Sequence, residues 1–334
     1  MDFRFDDEQL ALRDAVRAFC QQQFALGGVA AREGVPVQAE TWAALADMGV
    51  FAMLLPPEQG GFGGGAIEAA IVFEQLGARL ATGPTLWSTI TAPLVSEADG
   101  ATVRVTGIEV TSSARPPYIV EHAEESDVLV IVSDDGVARC ATSELVEPMA
   151  TSAFDPLTPT AAYSELPRGT VIGGPEDARR LRLAGTVLTA AQLVGVAQGA
   201  LDVAAAYALE RQQFGVPIGT FQAVKHLLAD MYVRVEMARS ATYAAAAVFD
   251  DDRAGDVTAA ASAAKLLAGE AGLANGRTAV QVLGGMGFTW QMTPHYFLKR
   301  AWVLEESFGT GDAHALALSA TLESDVRNTE TAWT

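Results

Sequence analysis

The sequence predicts an α+β chain, mainly α, with an N-terminal helical domain, a small β domain and a C-terminal four-helix bundle. Three observations carry this. Apolar residues recur at helical spacing up to Val95 and again from Gly174 onward. Runs rich in β-branched residues fall only between those two regions. Two long helical patterns meet at Glu210–His226, E-R-Q-Q-F-G-V-P-I-G-T-F-Q-A-V-K-H, where Gly215, Pro217 and Gly219 require a tight turn. The expected divisions are 1–98, 99–173 and 174–322, with a tail at 323–334.

In chain order, Asp6 and Gln9 give a capping-box-like start, and Leu12, Val16 and Phe19 share one helix face. Trp42, Leu45 and Met48 place a second helix over Ala39–Met48, and Pro56-Pro57 stops the short apolar run Phe51–Leu55. E-Q-G-G-F-G-G-G at 58–65 reads as a turn feeding a helix from Ala66 to Leu80. A phosphate-cradling loop is disfavoured, because no strand leads in and the G-x-G-x-x-G register is absent. Thr82-Gly83-Pro84 ends that helix, and Leu86–Val95 forms another.

Character changes near Asp99-Gly100. Val103–Thr106, Ile108–Thr111 and Tyr118–Val120 read as strands, and Val128–Val132 as a buried one. Asp135-Gly136 signals a hairpin returning through Val137–Ala141, and Ala161–Leu166 closes the region. Pro175, with Glu176 and Asp177, restarts helix, whose face is lined by Leu193, Val196, Ala197, Ala200, Ala204 and Tyr207. Beyond the turn, Phe221, Val224, Leu228, Met231, Val235, Ala238, Ala245 and Phe249 form a bundle seam broken only at Thr242. Further helices are expected over Asp256–Leu283, stopped by Gly284-Gly285, over Pro294–Leu304, and from Gly311 to Leu322, before a polar, frayed end.

Composition narrows the function. A chain of 334 residues, 50% hydrophobic, can build a sizeable core. Its net charge of −19, with lysine only at Lys225, Lys265 and Lys299, opposes binding to nucleic acid or to an anionic membrane surface. Cys20 and Cys140 stand far apart and outside any metal-type spacing, which suits reduced thiols and a cytoplasmic setting. His122, His226, His295 and His314 show no ligand spacing, so no metal is expected. The acidic opening predicts no signal peptide, and no membrane span is expected.

Two segments bring in a family. R-Q-Q-F-G at Arg211–Gly215, with Phe221-Gln222, is similar to the R-x-x-F-G…F-Q motif of acyl-CoA dehydrogenases. Q-V-L-G-G-M-G-F at Gln281–Phe288 is similar to that family's Q-x-x-G-G-x-G-F, in the same order and at about the same spacing. The segment at 58–65 resembles the family's P-e-x-x-G-G-x-G, and Gly309-Thr310 its G-T. The resemblance implies FAD held between subunits. The middle β domain of one chain would hold the flavin ring, and the arginine and Q-x-x-G-G segment of a neighbour the pyrophosphate and adenosine end. It carries cofactor roles onto Arg211, Phe214, Gln222, Gln281, Gly284, Gly285 and Thr310. An arginine fork suits phosphate oxygens, and glycines let backbone approach a ligand. On spacing alone, Arg211 reads equally well as a capping or surface residue, and Gly284-Gly285 as a plain helix stop.

Two departures from the family stand out. Its reaction removes an α proton with a Glu that in most members precedes the G-T. Counting without gaps from Lys299-Arg300-Ala301, that position is Phe308. In a minority of members the Glu lies early in the helix before R-x-x-F-G, where Arg179 stands here. Neither residue is a base at neutral pH. Glu305 and Glu306 read as surface or intersubunit charges. Second, the flavin-embracing T-E-P-x-x-G-S-D and W-I-T-N segments are not found, and the β region has no tryptophan.

The resemblance thus implies a subunit of an FAD-dependent acyl-CoA dehydrogenase, with an acyl-CoA substrate and an electron-transfer flavoprotein as acceptor. A full-length partner subunit would supply the base and the ring contacts in a heterotetramer. Heteromeric steroid-degrading enzymes of actinobacteria resemble this arrangement, and the excess of Arg over Lys suits a high-GC genome. A self-sufficient homo-oligomer and a non-catalytic binding or regulatory protein on the same fold are the alternatives.

Overall fold

The computed structural model describes residues 5–61, 63–95 and 103–331. Phe62 and the change of character expected at Asp99-Gly100 lie outside them. Two compact units form. One takes residues 7–72 and 79–185, the other 73–78 and the chain from Thr186 onward, with Phe5 and Asp6. The units part within a helix, at Gly185/Thr186, rather than at the 173/174 division read from sequence, because one helix runs unbroken from Pro175 to Glu210.

In the first unit, α1 (Asp7–Gln23) and α2 (Ala39–Asp47) bury Val16, Cys20, Trp42 and Leu45. Trp42 stacks on Phe51 with ring centroids 4.3 Å apart. The glycine-rich stretch is a turn, as expected: Gly60 and Gly63 take positive φ, and the Gly65 N–H donates to Glu68 Oε2 at 2.9 Å to open α3 (Ala66–Ala78). The expected helix 86–95 is the shorter α4 (Thr85–Thr91).

The two strand segments expected at 103–111 are one strand, β1 (Val105–Val110), with Gly107 at its middle. A Cβ there would lie 2.2 Å from the Trp87 ring, so glycine marks close packing rather than a break. The other strands are β2 (Tyr118–Glu121), β3 (Val128–Ser133), β4 (Gly136–Ala141), β5 (Thr160–Tyr163) and β6 (Thr170–Gly173). They pair as one sheet, β1-β3-β4-β6, parallel between β1 and β3 and otherwise antiparallel, and one ribbon, β2-β5. Val120, Leu129, Cys140 and Tyr163 bury a common apolar cluster. The sequence reading had no counterpart for β6.

In the second unit, α5 (Pro175–Glu210) is followed by α6 (Gln222–Asp250), α7 (Val257–Leu283), α8 (Pro294–Glu306) and α9 (Gly311–Thr331). Asp256 caps α7, accepting from the Thr258 and Ala259 N–H groups. By length and composition α5 could cross a membrane, contrary to the sequence expectation. Yet 78% of its most apolar window is buried inside the protein, as in a core helix. The α6 seam is buried from Met231 through Ala246, whereas Phe221, Val224 and Leu228 are only partly covered. The last helix continues nine residues past Leu322, where a frayed end was expected, through polar residues that contain no Gly or Pro to stop it.

Helices α3 and α5 touch backbone to backbone. A Cβ at Gly195 would lie 2.0 Å from the Glu74 carbonyl oxygen, and one at Gly77 2.2 Å from that of Gln192. Gly195→Ala should therefore destabilise the protein by about 1–3 kcal/mol or more, although alanine is favoured in a helix by about 1 kcal/mol. Thermal unfolding checks this: an unchanged or raised midpoint would show that the two helices do not meet there.

Candidate functional site

The link from α5 to α6 is a miniature hairpin. Gln212–Gln213 pairs with Val216–Pro217, and Phe214 and Gly215 at the tip both take positive φ. The Ile218 N–H donates to the Arg211 carbonyl at 2.8 Å, and Thr220 Oγ1 donates to the Pro217 carbonyl at 2.7 Å, fixing the turn into α6. The outcome is unusual for a fold-closing turn. Arg211 and Gln222 are exposed, their side chains without a hydrogen-bond or ion-pair partner among the described residues. Phe214 is 93% exposed, resting edge-on against Phe221 at 6.1 Å.

At the end of α7, Gln281 is exposed and its carbonyl accepts from the Gly284 N–H. Gly284 has φ +60 and ψ −140, a conformation that only glycine adopts without strain. No atom lies within 4 Å of a Cβ built on Gly284 or Gly285, so this backbone faces open space.

Asn275 relates the two motifs. It is fully buried, and its Nδ2 donates to the Ala197 carbonyl on α5 at 3.2 Å and to the Met231 carbonyl on α6 at 3.0 Å. Short links make α5/α6 and α6/α7 antiparallel neighbours. Moving about nine residues, about 14 Å, from this junction reaches Gly284 along α7 and Gln222 back along α6. Arg211, Phe214, Gln222, Gln281, Gly284 and Gly285 therefore share one end of the bundle.

Thr310 is not with them. The α8–α9 loop is anchored to Lys265, nineteen residues before Gly284 on α7, or about 28 Å away along the axis. There Phe308 is buried with φ +55, and Gly309 has φ +97. Glu305, read from sequence as a surface or intersubunit charge, instead accepts from the Gly311 N–H at 2.7 Å. His314 Nε2 lies 2.9 Å from the Phe308 carbonyl and Nδ1 3.1 Å from Ser262 Oγ. A carbonyl can only accept, so Nε2 carries the proton and Nδ1 receives the hydroxyl hydrogen. Burial pushes the imidazole below its ordinary value; the bond to Phe308 opposes this, Lys265 adds to it and Glu305 opposes it. Sequence reasoning missed Lys265, Glu305 and His314, since their bonds run mostly to backbone that spacing does not reveal. Arg179 is exposed on the first turns of α5 and pairs with Glu176 at 3.3 Å. In the other unit, a cavity of about 550 Å³ is bounded by Tyr118, Ile131, Ser133, Val137, Leu166 and Arg168, and none of the candidate cofactor or base residues read from the sequence lines it.

Known proteins resemble this chain in sequence and in fold. Residues 6–98 match a family model described as acyl-CoA dehydrogenase, N-terminal domain, and residues 182–322 one described as acyl-CoA dehydrogenase, C-terminal domain. The chain belongs to the acyl-CoA dehydrogenase family. It is 32% identical to acyl-CoA dehydrogenase IpdE2 of Mycolicibacterium smegmatis over 308 residues, covering 88% of this chain and 92% of that one. It is also 32% identical to acyl-CoA dehydrogenase FadE34 of Mycobacterium tuberculosis, over 88% of this chain but only 45% of the longer relative. Among solved structures, the ChsE4-ChsE5 complex of Mycobacterium tuberculosis superposes with a TM-score of 0.81 at 23% identity, covering 97% of this chain and 99% of that one.

The family consists of oxidoreductases acting on acyl-CoA, and FAD is the cofactor that membership brings. The hairpin end fits part of that cofactor. A cationic fork, two amide side chains and an open glycine backbone lie at that end, and none of these side chains has an internal bond among the described residues. When bound, FAD supplies the acceptor for the electrons removed from substrate.

Two outcomes follow. Arg211→Ala should weaken FAD retention by about tenfold or more, since a charged hydrogen bond is worth roughly 1.5–3 kcal/mol. Equilibrium dialysis of the assembled enzyme measures it, and unchanged affinity would remove Arg211 from the site. For His314, folded and unfolded chains both carry a neutral imidazole above about pH 6.5. Below that the unfolded chain binds a proton first, so stability falls as pH drops from about 6.5 toward the lowered folded value and levels off beneath it, with a slope of at most about 1.4 kcal/mol per pH unit. His314→Gln should flatten this part of a urea-midpoint profile between pH 5 and 7.

Proposed function

We propose that this chain is one subunit of a heteromeric FAD-dependent acyl-CoA dehydrogenase. It would complete the FAD site of a full-length partner that supplies the catalytic base and the flavin-ring contacts. One observation carries the reading. Motif residues that would face a neighbour's cofactor, Arg211, Gln222 and Gln281, are exposed and unspent, while the base positions hold a buried phenylalanine, Phe308, and an ion-paired arginine, Arg179. A self-sufficient homo-oligomer would also clamp a neighbour's FAD in this way, so the feature that favours a heteromer is the absence of a carboxylate at either base position.

The bundle surface supports an obligate partner. Leu227, Tyr232, Val233 and Met237 on α6 are all exposed, beside the partly covered Phe221, Val224 and Leu228. Fully burying one such side chain is worth roughly 1.5–3 kcal/mol, so a handful can hold a permanent contact. The likeness to a chain of the ChsE4-ChsE5 complex agrees with a heteromer, and the likeness in fold to the Tcur3481-Tcur3483 steroid enzyme with steroid catabolism. On this reading the substrate is a bulky acyl-CoA, and an electron-transfer flavoprotein is the acceptor.

Co-expression with the full-length relative tests the proposal. The expected product is an α2β2 assembly with about one FAD per αβ pair, because one chain type alone offers a ring site. The chain on its own should be flavin-free or poorly soluble. Native mass measurement and flavin absorbance decide the matter. A flavin-loaded homotetramer of this chain that oxidises an acyl-CoA would overturn the heteromer, and an assembly free of flavin would point to a binding protein.

A further inference from the structure

The β2-β5 ribbon lies over one face of the four-stranded sheet and is too narrow to cover it. Residues two apart in a strand share a face, and so do residues paired across strands. Leu129, Ile131 and Ser133 on β3 therefore face the same way as their partners Cys140, Ala138 and Gly136 on β4. Ala138 shares that face with its own partner, Val171 on β6. The ribbon turns Val120 and Tyr163 onto this face, where they close one end of the sandwich with Leu129 and Cys140. At that end the Thr106 hydroxyl also donates to the Glu121 carbonyl, at 2.5 Å.

The other end stays open. Ser133, Gly136 and Ala138 are all small, so the sheet does not fill there the space that Leu129 and Cys140 fill farther along. The result is the cavity of about 550 Å³, bounded by Ile131, Ala138 and Val171 from the sheet and by Tyr118 and Leu166 from the ribbon side. Its volume is that of a small-molecule pocket, roughly 300–1,000 Å³. Val171, at its edge, is 76% exposed, an apolar wall left to water.

The rim limits the charge of an occupant. Arg168 is the only cation among the lining residues and stands with Asp135 and Glu165. None of the three has an ion-pair partner among the described residues. An anion would gain one favourable charge, meet two like ones, and approach a chain of net charge −19. A cation would meet Arg168. The hydroxyls of Tyr118 and Ser164 also line the cavity without a hydrogen-bond partner among the described residues, and each can donate or accept.

We propose that this cavity binds an uncharged, compact apolar molecule bearing a hydroxyl or carbonyl group, seated between sheet and ribbon. The inference holds whether or not the chain pairs with another subunit, since the cavity lies within one unit.

The uncharged fluorophore N-phenylnaphthylamine, which brightens on leaving water, is titrated into the full chain. One saturable site per chain is expected. Ala138→Phe should abolish it, because the ring fills the cavity from the sheet. Val171→Glu, at a position already open to solvent, should weaken it by about tenfold or more, because a charge replaces an apolar wall. The anionic relative anilinonaphthalene sulfonate should bind that site at least about tenfold more weakly; equal binding would overturn the assignment of an uncharged ligand. Displacement of the fluorophore by FAD or by an acyl-CoA would give the cavity to cofactor or substrate, and the proposal would fall. It would also fall if both variants left the signal unchanged, since the dye would then sit on apolar surface elsewhere, such as the exposed face of α6. Should Ala138→Phe not fold, Val171→Glu decides, and unweakened binding in it overturns the proposal.

Discussion

Close approach of helix backbones through glycine is the constraint on which the second unit depends. Gly77 and Gly195 bring α3 and α5 together, and at Gly199 a Cβ would meet the Phe297 ring at 2.4 Å. On α7, Gly276 faces the α8 backbone at Leu298, where a Cβ would lie 2.9 Å away. Interiors packed at crystal density do not slide. These contacts therefore fix the register of α3, α5, α7 and α8 as well as their separation. Asn275 can reach carbonyls on both α5 and α6 only in that register. The positions of the hairpin and of the α7 terminus at one end follow from it.

Close packing also sets the terms for polar groups caught between the helices. Glu74 is buried, and its Oε1 accepts from Arg239 Nε at 3.1 Å and Nη2 at 3.0 Å, while Oε2 accepts from the Tyr243 hydroxyl at 2.8 Å. Gln198 Oε1 accepts from the same Arg239 Nη2 at 2.9 Å. One side chain thus ties α3 to α6, and the bonded arginine ties in α5. A buried pair of this kind adds little net stability over an apolar contact, yet losing one partner strands the other charge at a cost of about 3–5 kcal/mol. Its role is directional: it accepts one alignment of the helices and penalises the rest. In a chain of net charge −19, Glu74 is the one buried carboxylate among the described residues of this unit.

How much was legible in the sequence depended on whether the covering partner lies within the chain. Leu193, Val196, Ala197 and Ala200 were read as a core face, and all are buried. The same periodicity included Phe221, Val224 and Leu228, which the chain leaves partly open, because apolar spacing marks a face without saying what covers it. Strand β6 escaped because four residues, two of them glycine or threonine at its ends, carry no alternation, and its place is set by pairing with β4. At the candidate site, glycine and arginine motifs could be read because their chemistry is in the side chain or in its absence. Lys265, Glu305 and His314 could not, because most of their partners are backbone groups as far as 44 residues away in sequence.

The two ends of α7 are built on opposite principles, and the contrast bears on which side chains the fold itself constrains. At Gln281–Gly285 the backbone is open and the side chains are unspent, so that end has its chemistry still to do and is stable without it. At Phe308–Gly311 nearly every backbone group is already bonded, to Lys265, His314, Glu305 or the next turn. A loop held by main-chain bonds imposes no requirement on the side chain it presents beyond volume. A carboxylate at position 308 would need a solvated or paired setting, whereas the buried Phe308 side chain needs neither. Replacing an acid by phenylalanine there removes a desolvation cost without disturbing those main-chain bonds. The loop therefore keeps its geometry whether position 308 carries an acid or a phenylalanine.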